Sequence, residues 1–461
     1  MPVDAPPRPV LPALPGRARL TLLVLCAAQF VVTLDFSILN VALPALGSDL
    51  GLGRTDLQWA VTAFALPSGG LLLLFGRLAD RYGRRRLFLL GLGVFTAASV
   101  LVTLAPDAAS FLTGRALQGV GAALIVPTGM ALLTTAFPEG PLRERALGIS
   151  GTLLSLGYTT GMVLGGVMTD GLGWRSTMGL LAAAGLGVLL LASAVPTAPQ
   201  APGRARLDVP GAVTVTGGLL ALVYALSTAA ERGFGRADVV VALAAGLVLL
   251  TVFAVVESRV AEPLVPLPLL RRRTVAWGNL GGLATVSTMT ALIFLLTLYL
   301  QDVLGLSAFR TGMLFGVQGL FAALGGMTAS RVVARFGARR VLAGSLLLQA
   351  AATAPLAWLD TGPTAAWAAL AGASVGVVGN LWAVVAYGVT ATSGVPDAEQ
   401  GLATGLVTGA QQLGTTVGIP VLSAVGAGWG LRGAMGADAA AVALAGVGVA
   451  LGLLRGVRGG D

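Results

Sequence analysis

The stretch Gly76–Arg86, GRLADRYGRRR, places five arginines and an aspartate in eleven residues of a chain that is 56% hydrophobic and only 11% charged. A second stretch, Ser330–Arg340 (SRVVARFGARR), repeats the pattern with Ala334 where Asp80 stands. Each follows one long apolar run and precedes another, so the charge marks short loops between apolar segments. With 66 glycines and a mean hydropathy of +0.87, the chain has more apolar surface than a soluble domain buries. The expected fold class is an all-α polytopic membrane protein. A membrane-crossing helix needs about 20 mostly apolar residues. Fourteen such runs are present, at about 20–46, 57–75, 87–105, 110–137, 145–170, 174–195, 208–230, 237–257, 274–300, 310–330, 341–359, 364–390, 401–427 and 436–454. They are too long for barrel strands and lack the polar alternation of such strands.

Orientation follows from the basic residues, all 29 of which are arginine, because short cytoplasmic loops retain positive charge. With both termini in the cytoplasm, 22 arginines fall on that side and six on the other, leaving Arg115 inside a span. The same asymmetry accounts for the net charge of +9 without nucleic acid, whose recognition needs basic residues gathered on a module with stacking aromatics. The first span continues past Asp35 with no small-residue cleavage site, so it is expected to be retained.

The single cysteine, Cys26, allows no internal disulfide, and with no histidine no zinc or transition-metal site is expected. The lack of histidine and of clustered carboxylates also argues against a membrane-embedded enzyme. A chain without lysine has no GxxxxGK phosphate loop, so ATP-driven transport and nucleotide cofactors are not expected either.

Duplicated halves are a common plan of secondary transporters. The two basic copies lie eight spans apart rather than six, which predicts two inserted helices at 208–257. They separate an N-terminal six-helix bundle (20–195) from a C-terminal six-helix bundle (274–454). A cytoplasmic tail (1–19), a Pro-rich linker (196–207), a loop (258–273) and a second tail (455–461) complete the arrangement.

At this level the sequence resembles the major facilitator superfamily, and within it the fourteen-span drug:proton antiporter family of DHA2-type multidrug exporters. GRLADRYGRRR is similar to the superfamily signature between spans two and three. LDFSILNVALP (Leu34–Pro44) is similar to the family's first-span motif, GRALQGVGAA (Gly114–Ala123) to its fourth-span motif, and GISGTLLSLGYTTGMVLGG (Gly148–Gly166) to its antiporter signature. The resemblance implies that Asp80, with Gly76, Arg77, Gly83, Arg84 and Arg85, forms a latch between the cytoplasmic ends of the two bundles. Arg81 and Arg86 read equally well as topology anchors. Gly148, Gly157, Gly161, Gly165 and Gly166 stand at the signature's spacing, and small residues four apart allow helices to approach closely. Met162 replaces the signature's proline, which bears on both the expected kink and the inference of export.

Asp35 lies inside a span, where a carboxylate is costly and functional by default. At about 1.5 Å per residue, Asp35 sits roughly 16 Å and Arg115 roughly 8 Å from the outer ends of antiparallel helices, so the two are expected to communicate directly or through Gln118 and water. Burial and an adjacent arginine act in opposite senses on proton binding by a carboxyl, which gives an antiporter something to alternate. Asp35 is therefore expected to carry the proton with Arg115 as its partner; a buried ion pair that only fixes packing is the alternative. For substrate binding the candidates are Asn40, Gln118, Gln318, Asn380, Trp382, Tyr387, and Gln411 or Gln412 within GLATGLVTGAQQLGTTVG (Gly401–Gly418), with helix–helix contact as the competing reading for each. No acid falls inside the tenth span and the others mostly lie at span ends or in loops, which favours monovalent, zwitterionic or neutral substrates.

The resulting expectation is a proton-coupled exporter of amphipathic small molecules that works by alternating access in a bacterial cytoplasmic membrane. Its partners are protons, the substrate and the lipid bilayer; no cofactor is needed, and it acts as a monomer. An importer or symporter, or a narrow-specificity metabolite exporter, on the same fold is the alternative.

Overall fold

The computed structural model describes residues 16–53, 56–137, 140–192, 195, 208–260, 267–396 and 399–454. The linker 196–207, the centre of the 258–273 loop, the tail 455–461 and most of the tail 1–19 lie outside the described residues, as does the side chain of Asp80. The described residues form helices and contain no strand. The first half holds α1 (Gly16–Leu50), α2 (Leu57–Gly70), α3 (Leu72–Tyr82), α4 (Arg84–Thr103), α5 (Ala108–Ala136), α6 (Pro141–Leu172) and α7 (Trp174–Leu191). A hairpin follows, α8 (Val209–Arg232) and α9 (Ala237–Glu257). The second half holds the short α10 (Leu267–Leu270), α11 (Arg273–Leu298) with a π-helical turn at Tyr299–Val303, and α12 (Ala308–Phe336). It continues with α13 (Ala338–Thr353) and its 3-10 turn at Ala354–Trp358, then α14 (Ala365–Thr392) and α15 (Gln400–Leu454).

Twelve of these helices are long and apolar enough to cross a membrane, rather than the fourteen expected. The two exceptions have local causes. At 57–75 the helix carries Pro67 followed by Gly69 and Gly70, and it divides at Leu71 into pieces of 14 and 11 residues, each too short to span alone. At 401–427 the segment runs on into the next span as one 55-residue stretch bent at Gly430, whose φ of 72° leaves the helical region.

The internal repeat is visible in how the helices pack. In the first half α1 packs on α6, α5 on α2 and α4, and α4 on α7; in the second, α11 packs on α15, α14 on α12 and α13, and α13 on α15. The two basic stretches become the same corner: α3 turns into α4 through Gly83 (φ 102°), and α12 into α13 through Gly337 (φ 81°). Both angles strain any residue with a Cβ, which is why a glycine stands at this point of each copy.

Lipid is as apolar as the side chains it meets, so helix contact here rests on close packing and hydrogen bonds rather than on the hydrophobic effect. The two halves meet along α6 with α12 and along α2 with α15, while α8 lies against both α2 and α15. Here "near face" denotes the side where α1 begins and "far face" the side where it ends. At the far face the halves are joined: Gln301 Nε2 donates to the carbonyl of Val41 at 2.9 Å, and the Phe309 N–H donates to Asp170 Oδ2 at 2.8 Å. The close approaches made by glycines between α6 and α12 run from Gly166–Ala308 to Thr159–Gly319. Beyond that, towards the near face, Leu147 and Leu156 of α6 and Leu320, Leu324 and Met327 of α12 are exposed.

Candidate functional site

Three helices of the first half converge on a charged centre. α1 supplies Asp35, α5 supplies Arg115 and Gln118 one turn apart, and α4 supplies Ser99; all four side chains have no solvent exposure. Arg115 Nη1 stands 2.8 Å from both oxygens of Asp35 and 2.8 Å from Gln118 Oε1. Arg115 Nε donates to the carbonyl of Ala60 on α2 at 3.0 Å, and the guanidinium lies 4.6 Å from the centre of the Phe64 ring. Gln118 Nε2 donates to Ser99 Oγ at 2.8 Å, so the amide bridges the ion pair to α4. Arg115 Nη2 is buried with no hydrogen-bond partner among the described residues, leaving one donor of the centre for a water or a ligand. The expected pair thus meets directly, and the long arginine side chain covers the offset between the two helices.

The glycines of α6 divide between two partners. A Cβ on Gly157 would stand 3.1 Å from the carbonyl of Phe30, one on Gly165 2.6 Å from that of Ile38, and one on Gly161 would overlap the Ser37 side chain, so this row seats α6 against α1 beside Asp35. Gly166 faces the other half, where a Cβ would lie 2.5 Å from the carbonyl of Ala308. Gly312 of α12 answers it, where a Cβ would stand 2.6 Å from the carbonyl of Met162. Met162 itself is buried, in an uninterrupted α6. Gly148 has open space around it and belongs to neither contact.

Residues 25–419 match the family model of the Major Facilitator Superfamily. The chain belongs to this superfamily. It is 41% identical over 421 residues to the cephamycin export protein CmcT of Amycolatopsis lactamdurans, covering 88% of this chain and 85% of that one. It is 38% identical over 411 residues to the puromycin resistance protein pur8 of Streptomyces alboniger, covering 88% and 81%. Its fold is similar to that of the crystal structure of the POT family transporter PepTSo, at a TM-score of 0.75 and 16% identity over 98% of this chain and all of that one. This facilitator-superfamily chain is a multi-pass membrane transport protein.

In this superfamily member the remaining substrate candidates do not form one cluster. Asn40 is buried and donates to the carbonyl of Phe36 on its own helix at 2.8 Å. Gln318 donates to the carbonyl of Ala373 at 3.4 Å, and Trp382 Nε1 to Thr328 Oγ1 at 2.9 Å, both joining α12 to α14. Tyr387 donates to the carbonyl of Val407 at 3.4 Å and lies 3.5 Å from Gln411 Oε1; Gln411 is exposed, whereas Gln412 turns its carbonyl towards Gly69 and Thr416 at the α2–α15 contact. Asn380 belongs to a neutral network. Its Nδ2 donates to Thr285, Thr285 donates to Gln349 Oε1 at 2.6 Å, and Gln349 Nε2 donates to Thr288 at 2.9 Å. This network joins α11, α13 and α14, the counterparts of α1, α4 and α5, so the second half carries an uncharged version of the Asp35 centre.

Two of the latch arginines each hold a contact within their own half: Arg84 Nη1 donates to Thr135 Oγ1 at 2.9 Å and Arg85 Nε to the carbonyl of Val195 at 2.7 Å. A Cβ on Gly76 would stand 3.7 Å from that of Pro127, Arg77 is partly buried, and the Asp80 side chain lies outside the described residues. Sequence reasoning missed Ser99, the Ala60 carbonyl and Phe64, which carry no charge to draw notice. It also passed over Asp438, which is fully buried in α15 rather than placed at an exposed span end. The signal was present, an acid inside the apolar run 436–454.

Proposed function

We propose that this chain exports amphipathic small molecules, antibiotics among them, in exchange for protons. The observation that carries the reading is the sealed Asp35–Arg115 pair, a buried acid whose partner can be exchanged for a proton. When Asp35 takes a proton, Arg115 is released from it and the α1–α5 contact changes; when the proton leaves, the pair re-forms. Rows of glycine beside Asp35 on α6 transmit that change to the α6–α12 contact between the halves, which supports alternating access. Closure at the far face with exposed apolar side chains towards the near face fits a conformation open to the near side. The arginine asymmetry supports an orientation with the near face and both termini in the cytoplasm, in a bacterial cytoplasmic membrane. Fourteen spans follow if α2 and α3 together form one kinked crossing and α15 forms two on either side of Gly430. Asp80 and its arginines latch the cytoplasmic ends together in the opposite conformation, when the far face opens.

The relatives' substrates supply the first probes. The experiment is transport of puromycin, a cephamycin, and fluorescent cationic and neutral amphiphiles in proteoliposomes under an imposed pH gradient, comparing the native chain with Asp35→Asn. Gradient-driven flux that the variant loses while still inserting normally is the expected result. Proton-driven flux that survives in Asp35→Asn refutes the coupling role, and uptake in place of efflux refutes export.

A further inference from the structure

Among the described residues two acids have no solvent exposure and lie inside membrane-spanning helices: Asp35 in the first half and Asp438 in the second. Their surroundings are opposite. Asp35 is held by a guanidinium at 2.8 Å. Among the described residues both carboxyl oxygens of Asp438 are buried without any hydrogen-bond partner, and no charged neighbour acts on it.

The position of Asp438 follows from the contacts on either side of it. Gly436 of α15 packs against Ala357, and Gly446 packs against Leu346 and Leu347, so Asp438 lies alongside the last turns of α13. Nothing titratable is found on α13 between Val341 and Thr353, on the 3-10 turn, or on α11 between Val275 and Leu298. On α14 the titratable group is Tyr387, which is bound to Val407 and Gln411. On α8, Tyr224 sits against the Trp59 ring of α2, and α2 itself meets α15 at Gln412–Thr416. The charged and phenolic groups of this region, Arg432, Asp360 and Tyr299, gather at the far face. There the Tyr299 hydroxyl donates to the carbonyl of Asp360, and the exposed Arg432 lies within electrostatic reach of Tyr299. Asp438 is eight residues beyond the bend at Gly430, about 12 Å along the helix.

An ionised carboxyl in this setting has neither a counter-charge nor a donor, and its desolvation is offset by nothing. The neutral acid fits the site as it stands. We propose that Asp438 is a second proton-binding site, housed in the C-terminal half and occupied in the far-face-closed conformation. The proposal rests on the reading of the chain as a proton-coupled exporter and adds a second proton to its cycle. The two halves then hold their acids in complementary states: a charged Asp35 paired with arginine, and a neutral Asp438 with no partner.

The test is infrared difference spectroscopy of the full chain in lipid vesicles, comparing H2O with D2O and mildly acidic with mildly alkaline buffer, for the native protein, Asp438→Asn, Asp438→Glu and Asp35→Asn. A carboxylic-acid C=O band characteristic of an apolar site is expected in the native chain. It should shift in D2O, fade at alkaline pH, vanish in Asp438→Asn, persist in Asp35→Asn, and return at a displaced frequency in Asp438→Glu. A native spectrum without the band, or a band that survives in Asp438→Asn, overturns the assignment. A band that vanishes in Asp438→Asn but is inert to D2O and pH in the native chain also overturns it, since Asp438 is then a fixed structural acid. If Asp438→Asn does not fold, the displaced band of Asp438→Glu decides. Failure of all gradient-driven flux refutes the transport reading while leaving this band in place, so the two failures are distinguishable.

Discussion

Removing one partner of the Asp35–Arg115 pair exposes how strongly the two are coupled. In Arg115→Met the carboxylate loses a guanidinium 2.8 Å from both of its oxygens, and its remaining contact is Gln118 Nε2 at 3.5 Å. Breaking a buried ion pair from one side costs about 3–5 kcal/mol, because an uncompensated charge stays behind. The variant also loses the bond to the Ala60 carbonyl and the contact with the Phe64 ring, together about 2–3 kcal/mol. Asp35→Asn preserves shape but strands the guanidinium, a loss of the same kind. The double variant leaves no charge at all and retains only the smaller cost of the lost Ala60 and Phe64 contacts. The two stranded-charge costs together set an upper bound of about 6–10 kcal/mol on the coupling, relaxation around each stranded group lowers it, and the double-mutant cycle should therefore return at least about 3 kcal/mol, the upper end for residues in contact. That coupling corresponds to more than a hundredfold in the unfolding equilibrium. Reversible unfolding in mixed micelles, titrated with a denaturing detergent and followed by emission from the seven tryptophans, reads it. Single costs that add to within about 0.5 kcal/mol would show that the pair is not coupled and refute the reasoning. Stability regained in the double variant without coupled flux separates holding the fold from carrying the proton.

The two classes of glycine on α6 make opposite predictions. Gly161→Leu, whose Cβ alone overlaps Ser37, should destabilise the chain by about 1–3 kcal/mol and stop transport, whereas Gly148→Ala should change stability by no more than about 1 kcal/mol; equal melting temperatures for the two would contradict the packing described. Gly166→Leu should hold the far face apart, since its Cβ stands 2.5 Å from the Ala308 carbonyl, and in that background a cysteine introduced as Phe309→Cys should react faster with a membrane-impermeant maleimide. Unchanged reactivity would mean that this contact does not govern closure.

Charge inside an apolar run is the feature a sequence displays most clearly in a membrane protein, which is why Asp35 and Arg115 were legible before their contact was seen. The glycine row was legible for a related reason: spacing of four puts residues on one face, although it does not say which helix that face meets. Gly157, Gly161 and Gly165 meet α1 while Gly166, one residue on, meets α12 across the seam. Helix count was less legible, because hydropathy does not register the bend after Pro67 or the continuity of α15 past Gly430. Neutral networks were hardest. Thr285, Thr288, Gln349 and Asn380 satisfy one another inside the second half, and nothing in their spacing distinguishes that from lining a cavity. Asp438 was overlooked through its nearness to a span boundary, where an acid normally reaches water.

The α8–α9 hairpin is fastened on one side. Thr216 donates to the Gly70 carbonyl at 2.6 Å and Gln58 Nε2 to that of Ser227 at 3.2 Å, tying α8 to α2 of the first half, while α8 also packs on α15 of the second. Its outer helix α9 has a mean hydropathy of 3.0 and the smallest buried share of the twelve membrane-length helices, 17%. If the halves rock as the proposed cycle requires, the hydrogen bonds to α2 should carry α8 with the first half while its packing on α15 yields, like a draught strip fixed to one edge of a door. On the proposed reading the hairpin then keeps acyl chains out of the gap between the halves on that side, which leaves the opposite flank for a substrate entering laterally from the bilayer.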